Sequence, residues 1–237
     1  MSVSSGKYSW VEALRLNSEF YISHLKLGVI MLSIYGKKLR PQNEVNAIIS
    51  ATSGFEEKTL KKWQKLSTSD SQYIHIIVSG DVEFRRESDE LCMFTVQGPC
   101  IFGLCSMFYS ATHMYSLIRS NTVVRSIKKE DFAQLMTENN LWPELTKVLS
   151  WYICMLSKRD DVLVARSAYS VVREFLYEIN ELIVQHQRDI NIYDYIQEYT
   201  NLARSTIIKI LSDLKKGQYI VVEKGRLLNL TSLPEKY

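Results

Sequence analysis

The sequence predicts an α+β protein in which a small antiparallel β-domain precedes a long helix and a C-terminal pair of short helices with a hairpin. Three patterns support this prediction. Short apolar strand patterns alternate with polar turns between about residues 55 and 130, a long helical pattern starts near Pro143, and two short helical patterns precede two strand patterns in the last fifty residues. Strands at such short intervals are typical of a small barrel or sandwich.

The composition fits a soluble globular protein. The chain has 237 residues, enough for two domains, and it is 46% hydrophobic and 23% charged. No apolar run reaches the roughly 18 to 20 residues that would cross a bilayer, and no secretory signal is recognisable. Four cysteines without a CxxC pair fit a reducing compartment. We therefore expect a cytoplasmic protein with no membrane partner.

The N-terminal part is predicted as a helical extension over residues 1–44. Residues 8–27 have a helical apolar pattern, whereas the apolar stretch 28–35 fits either a strand or a buried helix. A short helix over Val45–Ala51 then opens the β-domain, which we expect to span residues 45–137.

The β-domain is predicted from alternating apolar residues and turn signals. The segment 98–103 precedes a short helix at 104–109, and another helix over 130–137 closes the domain. The expected strands lie at 73–78, 82–86, 91–96, 114–119 and 122–127.

The long helix is predicted to begin at Pro143, because proline is well tolerated in the first helical turn. Apolar residues within it recur at alternating spacings of three and four, which is typical of a two-stranded coiled coil. A charged run at 158–161 interrupts this stripe, so packing of the helix on its own β-domain is the alternative. We favour a homodimer seam over 142–166, followed by a hinge at 167–170, and residues 138–168 are the predicted dimerisation segment. The stripe consists of Trp142, Leu145, Leu149, Tyr152, Leu156, Arg159 and Leu163.

The C-terminal segment, 169–237, has the element order of a winged helix-turn-helix. After a helix over 171–186, residues 191–199 and a run from Ala203 onward predict the two short helices, with a left-handed C-cap at Gly217. Strands at 219–222 and 227–230 then flank a basic hairpin tip. In this fold the second short helix lies in the DNA major groove and the hairpin reaches phosphates.

Positive charge is concentrated in this segment. From Leu202 to Arg226 there are six basic and two acidic residues, whereas the whole chain has a net charge of only +3. An arginine at the start of a recognition helix suits bidentate contact to guanine. We expect the protein to bind double-stranded DNA. The helix residues of the following set would lie at or near base edges, and the two hairpin residues would meet phosphates. The candidate DNA-binding residues are Arg204, Ser205, Thr206, Ile208, Lys209, Lys224 and Arg226.

Several motifs resemble those of the Crp/Fnr family of bacterial transcription factors. Residues 202–207 are similar to its Cys-Ser-Arg-Glu-Thr-Val segment, 77–82 to its Ile-Val-x-Gly-x-Val strand and turn, and Phe102-Gly103 to the start of its phosphate-binding cassette. The resemblance covers about residues 45–237. It implies a cyclic-nucleotide-binding-like β-barrel, a homodimeric regulator and RNA polymerase as a candidate partner. It also places Arg204 and Lys209 at the two base-reading arginine positions.

Three further segments resemble a narrower branch of the same superfamily, the enterobacterial IprA-type regulators (also called YaiV). These segments are residues 98–104, 215–220 and 233–237.

The cassette departs from the family pattern. Leu104 stands where the family has the glutamate that binds ribose, and Met114-Tyr115 stands about where an Arg-Ser pair neutralises the cyclic phosphate. A buried phosphate without a cation is strongly disfavoured. We therefore expect that neither cAMP nor cGMP binds, and we expect no other cofactor.

No signature of an enzyme or a metal site is present. The sequence has no nucleophile elbow, no GxGxxG, no GKS/T loop and no HExxH, and its four histidines are scattered. The cysteines are interpreted as packing residues rather than redox sensors.

Two alternatives remain open. The first is a protein-interaction module, in which the degenerate barrel and the winged helix are docking surfaces; Ile208 on the outer face favours it. The second is an apolar ligand in the barrel, lined by Leu104, Met107 and Phe108. Salt-dependent binding to duplex DNA distinguishes the docking module from a regulator.

Overall fold

The structure, a computed structural model, describes residues 39–67, 72–109, 113–186 and 189–236. The helical pattern at 8–27 and the apolar stretch at 28–35 lie outside these ranges. Across the described ranges, no helix is long and apolar enough to cross a membrane.

Two four-stranded antiparallel sheets form the β-domain, after a helix α1 (Gln42–Ala51). The first sheet has the order β1-β8-β3-β6 and the second β2-β7-β4-β5, which is the arrangement of a double-sheet jelly roll. The prediction of an antiparallel β-domain is confirmed. The strands are β1 (Glu57–Leu60), β2 (Lys65–Ser67), β3 (Tyr73–Ser79), β4 (Asp81–Arg86), β5 (Cys92–Gln97), β6 (Cys100–Phe102), β7 (Met114–Ile118) and β8 (Thr122–Lys128).

Side-chain alternation along β4 gives the second sheet two different faces. Val82 and Phe84 point between the sheets, where Phe84 packs against Phe94 and Phe102 with ring centroids 4.9 and 5.0 Å away. Glu83 and Arg85 therefore point to the outer face of this sheet. The space between the sheets is filled by apolar side chains, whereas the outer face of the second sheet carries charge.

Helix α2 (Lys129–Glu138) follows the sheets, after which α3 (Trp142–Leu163) packs along them. Leu145 is buried on the β-domain, and the Tyr152 hydroxyl donates to the Ile101 carbonyl at 2.8 Å. The predicted seam is therefore wrong at Leu145 and Tyr152, because a helical stripe read from spacing alone does not show which side the β-domain covers. The large apolar residues exposed on this helix are Leu149, Ile153 and Leu156.

The link between α3 and the next helix, α4 (Ala168–His186), corrects the predicted hinge. Residues 168–170 already belong to the first turn of α4, where Ser167 accepts a hydrogen bond from the Ser170 amide at 3.1 Å. The chain bends earlier. Val164 is extended, and Ala165 has a φ of 54°, in the left-handed region.

The C-terminal domain has the predicted elements: α5 (Ile192–Tyr199), α6 (Arg204–Lys216), β9 (Ile220–Glu223) and β10 (Arg226–Leu230). The predicted left-handed C-cap is wrong, because Gly217 has a φ of −74° and the left-handed residue is Gln218, at 61°. Gly217 is required for space instead, since a Cβ there would lie 2.6 Å from the Tyr219 ring.

Burial of His75 makes the β-domain sensitive to acid. Its ring stacks on Phe102, its Nδ1 lies 2.9 Å from Ser126 Oγ, and burial lowers its pKa to about 4. Between pH 6.5 and 4 the unfolded chain protonates this histidine and the folded chain does not, so stability falls as the pH falls.

We expect this residue to contribute up to about 3 kcal/mol of acid destabilisation over that window. His75→Gln should flatten the dependence of the free energy of unfolding on pH between 6.5 and 5, measured by urea titration. Equal slopes for the variant and the wild type would contradict this assignment.

Candidate nucleic-acid interface

Helix α6 has one buried and one exposed face. Ile207, Leu211 and Leu214 are buried in the core of the C-terminal domain, at spacings of four and three. The opposite side is open to solvent as predicted, with Thr206 half-buried at its margin. The exposed residues on this side are Arg204, Ser205, Ile208 and Lys209.

Arg204 is the first residue of α6 and contacts the preceding helix. Its Nη1 donates to Asp194 Oδ1 and to Gln197 Oε1, both at 3.0 Å. Its side chain is nevertheless 52% exposed. The arginine is thus held at the surface rather than turned into the core.

The hairpin tip is anchored to the start of α5. Lys224 and Gly225 have φ angles of 48° and 80°, which are typical of a type I′ turn. The Gly225 carbonyl accepts a hydrogen bond from the Ile192 amide at 2.9 Å, and a Cβ on Gly225 would lie 2.7 Å from the Asn191 side chain. Only glycine fits this turn without displacing Asn191, the residue that caps α5.

The two predicted basic residues of the hairpin are both exposed. Arg226 is ion-paired, with Nη2 2.6 Å from Asp189 Oδ2. Lys224 lies in the turn itself. The structure thus places all the predicted DNA-binding side chains on α6 and the hairpin, at least partly accessible to solvent.

An ion cluster joins the second sheet to α5. Arg85 lies between Glu83 and Glu198, in contact with both carboxylates, and Arg119 contacts Glu83 at 3.0 Å and Glu198 at 3.8 Å. Burial raises the pKa of the Glu83 carboxyl, and the charge of Glu198 acts in the same direction, while both arginines oppose it. Glu83 is therefore a buried carboxylate that depends on its two arginine partners.

Tyr199, the last residue of α5, extends the contact between this helix and the second sheet, because its hydroxyl lies against Thr95 Oγ1. Cys92 packs into the core of the C-terminal domain beside it, and burial raises the pKa of its thiol to about 12. Burial raises the pKa of Cys100 to about 12 as well. These two cysteines are free, buried thiols.

Leu104 and Tyr115, which stand at the two predicted cassette positions, are both buried. Leu104 is buried in an apolar cluster with α1, α2 and α3, and Tyr115 is buried under Lys65, whose Nζ lies 4.4 Å from the ring centroid. Arg119, a cation four residues after Tyr115, binds Glu83 on the outer face of the second sheet.

Within the described part of the chain, no group of three or more His, Cys, Asp or Glu residues could hold a metal ion.

Sequence reasoning did not find the carboxylate and amide partners of the arginines. Asp194 and Gln197 are separated from Arg204 by ten and seven residues, and Glu198 is separated from Arg85 by 113. No local sequence pattern predicts pairs between positions that lie so far apart in the chain. One signal was present in the sequence. Asp194 lies three positions after the capping residue Asn191, and an acidic side chain at that position is usually expected to turn back towards the cap.

The comparisons with known proteins agree with this architecture. Residues 168–235 match a family model described as winged helix-turn-helix DNA binding. The chain is 27% identical over 207 residues to an inhibitor of hydrogen peroxide resistance from Escherichia coli K12, covering 87% of this chain and 92% of that protein. The protein of the same description from Salmonella typhimurium is 29% identical over 163 residues, covering 68% and 78%.

Solved structures show the same fold. The global regulator CLP of Xanthomonas campestris, described as responsive to c-di-GMP, has a TM-score of 0.61 at 12% identity, covering 79% of this chain and 100% of that one. A transcriptional regulator of the CRP/FNR family from Thermus thermophilus has a TM-score of 0.53 at 15% identity, covering 75% and 94%. The chain thus has the fold of these regulators, and residues 168–235 form a winged helix-turn-helix of the kind that the family model describes.

Proposed function

We propose that this protein is a sequence-specific, homodimeric transcriptional regulator that does not respond to cyclic nucleotides. The observation that carries the proposal is the exposed face of α6, where Arg204, Ser205 and Lys209 are displayed while the opposite face is buried. A helix held in this way can enter the major groove with its N-terminal residues against base edges. Lys224 and Arg226 supply cations for the phosphates.

The dimer is supported by an exposed apolar stripe on α3. Leu149, Ile153 and Leu156 are 37%, 65% and 37% exposed, and their spacings of four and three put them on one side of the helix. Burying such a stripe against a second copy removes apolar surface from water. Two winged helices would then meet half-sites about one helical turn apart.

The absence of a cyclic-nucleotide response is supported by the side chains in the cassette. Leu104 offers no carboxylate to a ribose, and Tyr115 offers no charge to a phosphate. The role requires no catalytic residue, and RNA polymerase is the partner that an activator of this kind would need.

A second candidate function is a protein-docking module without DNA binding. It is favoured by exposed apolar side chains on the winged helix, namely Ile208, Val221 and Leu228, at 48%, 46% and 57%. Duplex DNA binding that weakens steeply with salt supports the regulator and not the module.

The relatives named as inhibitors of hydrogen peroxide resistance suggest where to search for operators. Promoters of genes for survival of peroxide are the first candidates, tested by footprinting with the purified protein.

We expect Arg204→Ala to cost about 1–3 kcal/mol of binding free energy at the preferred site and to relax sequence preference, because it removes a base contact. Lys224→Ala should weaken binding to all sequences and lower the salt slope by about one. Titration of labelled duplexes at several salt concentrations measures both effects. Lys58→Ala, an exposed lysine on β1, is the matched control. Unchanged affinity for both variants would show that α6 and the hairpin do not contact DNA.

We expect Ile153→Glu to dissociate the dimer, because it places a charge in the apolar stripe of α3. Light scattering after size exclusion should give the monomer mass at concentrations where the wild type is a dimer. Val184→Glu on α4, at a position 70% exposed, is the control that should stay dimeric. A dimeric Ile153→Glu protein would place the interface elsewhere.

Calorimetry should detect no heat of binding for cAMP or cGMP up to millimolar concentrations of nucleotide. A micromolar dissociation constant for either would refute the interpretation of the cassette.

A further inference from the structure

The position of Arg204 is unfavourable for the helix that carries it. As the first residue of α6, it places a positive charge at the end where the helix dipole and the free backbone N–H groups favour negative charge. The first turn of α6 has no acidic residue and no capping side chain that would offset this charge. The cation is compensated from another helix, by the carboxylate of Asp194.

The Arg204–Asp194 pair is too exposed to account for the position by folding stability. The two side chains are 52% and 63% exposed, and ion pairs in such surroundings typically contribute between 0 and about 1 kcal/mol. Folding stability therefore does not explain why Arg204 and Asp194 are paired.

The geometry leaves one edge of the guanidinium for another partner. Nη1 of Arg204 donates both hydrogen bonds to α5, one to Asp194 and one to Gln197. A guanine takes two parallel N–H groups from one arginine on its O6 and N7 acceptors. With Nη1 anchored, the Nε and Nη2 edge is the one that is presented to a base.

The carboxylate of Asp194 favours a base over a phosphate as the partner of Arg204. A phosphate that bound Arg204 would also approach Asp194, which lies 3.0 Å from Nη1, and the two negative charges would repel each other. The edge of a guanine has partial charges only and meets no such repulsion. Unfavourable interactions with the wrong partner are a general source of specificity.

We infer that Asp194, together with Gln197, is a specificity-determining positioning residue. It holds Arg204 for base reading and disfavours binding to non-cognate DNA through phosphates alone. This inference rests on the proposed DNA-binding function and assigns a role to residues of α5 that do not themselves reach bases.

The hairpin provides a matched control. Arg226 is paired with Asp189 at 2.6 Å, with side chains 62% and 68% exposed, so its surroundings resemble those of Arg204. Arg226 is expected at phosphates, which are the same in every sequence. Removing the charge of Asp189 should therefore raise affinity for all duplexes by a similar factor.

The experiment uses the full-length chain and a preferred duplex that the wild type selects from a random library. Affinities for this duplex and for a scrambled one are measured for the wild type, Asp194→Asn, Gln197→Ala and Asp189→Asn. For Asp194→Asn we expect the ratio of the two affinities to fall by at least about fivefold, mainly because scrambled DNA binds more tightly. Gln197→Ala should change the ratio in the same direction, and Asp189→Asn should leave it unchanged.

A repeat selection with Asp194→Asn gives a readout that loss of stability alone would not change. Preference should relax at one base position per half-site and persist at the others. Equal gains on both duplexes, as in Asp189→Asn, or an unaltered selected sequence would overturn the inference while leaving the proposed function intact. A wild type that selects no duplex and binds without salt dependence would overturn both.

Discussion

The buried carboxylate of Glu83 is the constraint on which the arrangement of this molecule depends. It lies on the outer face of the second sheet and is covered by α5, so it needs Arg85 and Arg119 beside it. Glu198 brings a second carboxylate from the C-terminal domain to the same arginines. Arg85 and Arg119 bring two positive charges against the one negative charge of Glu83, and Glu198 supplies the second carboxylate that balances them. The cluster is thus one of the contacts that hold the C-terminal domain against the second sheet.

Local sequence patterns predicted most elements of the fold, because burial and local geometry leave traces in neighbouring residues. The spacing of apolar residues along α6 and the alternation along β4 are examples, and the exposed site residues followed from the same spacing. Features set by distant contacts were not predictable. The apolar stripe of α3 did not show that Leu145 and Tyr152 pack on the β-domain, and Gly217 is required by the Tyr219 ring rather than by its own φ.

The candidate site combines cations with acidic partners rather than a uniformly basic surface. Net charge identified the C-terminal segment, but the side chains of Arg204 and Arg226 each meet an aspartate in the folded protein. Lys209 and Lys224 are exposed cations on the same two elements. Long-range attraction to DNA would therefore be weaker than the residue count suggests.

The bend at Ala165 links the symmetry of the assembly to the sequence it would recognise. An alanine with positive φ occupies a small allowed region at a cost in free energy, whereas glycine would adopt the same angle without that cost. In a dimer built on α3, the conformation of this residue would help to set the distance of each winged helix from the two-fold axis. In the proposed dimer, this one backbone dihedral angle would contribute to the number of base pairs between the two half-sites.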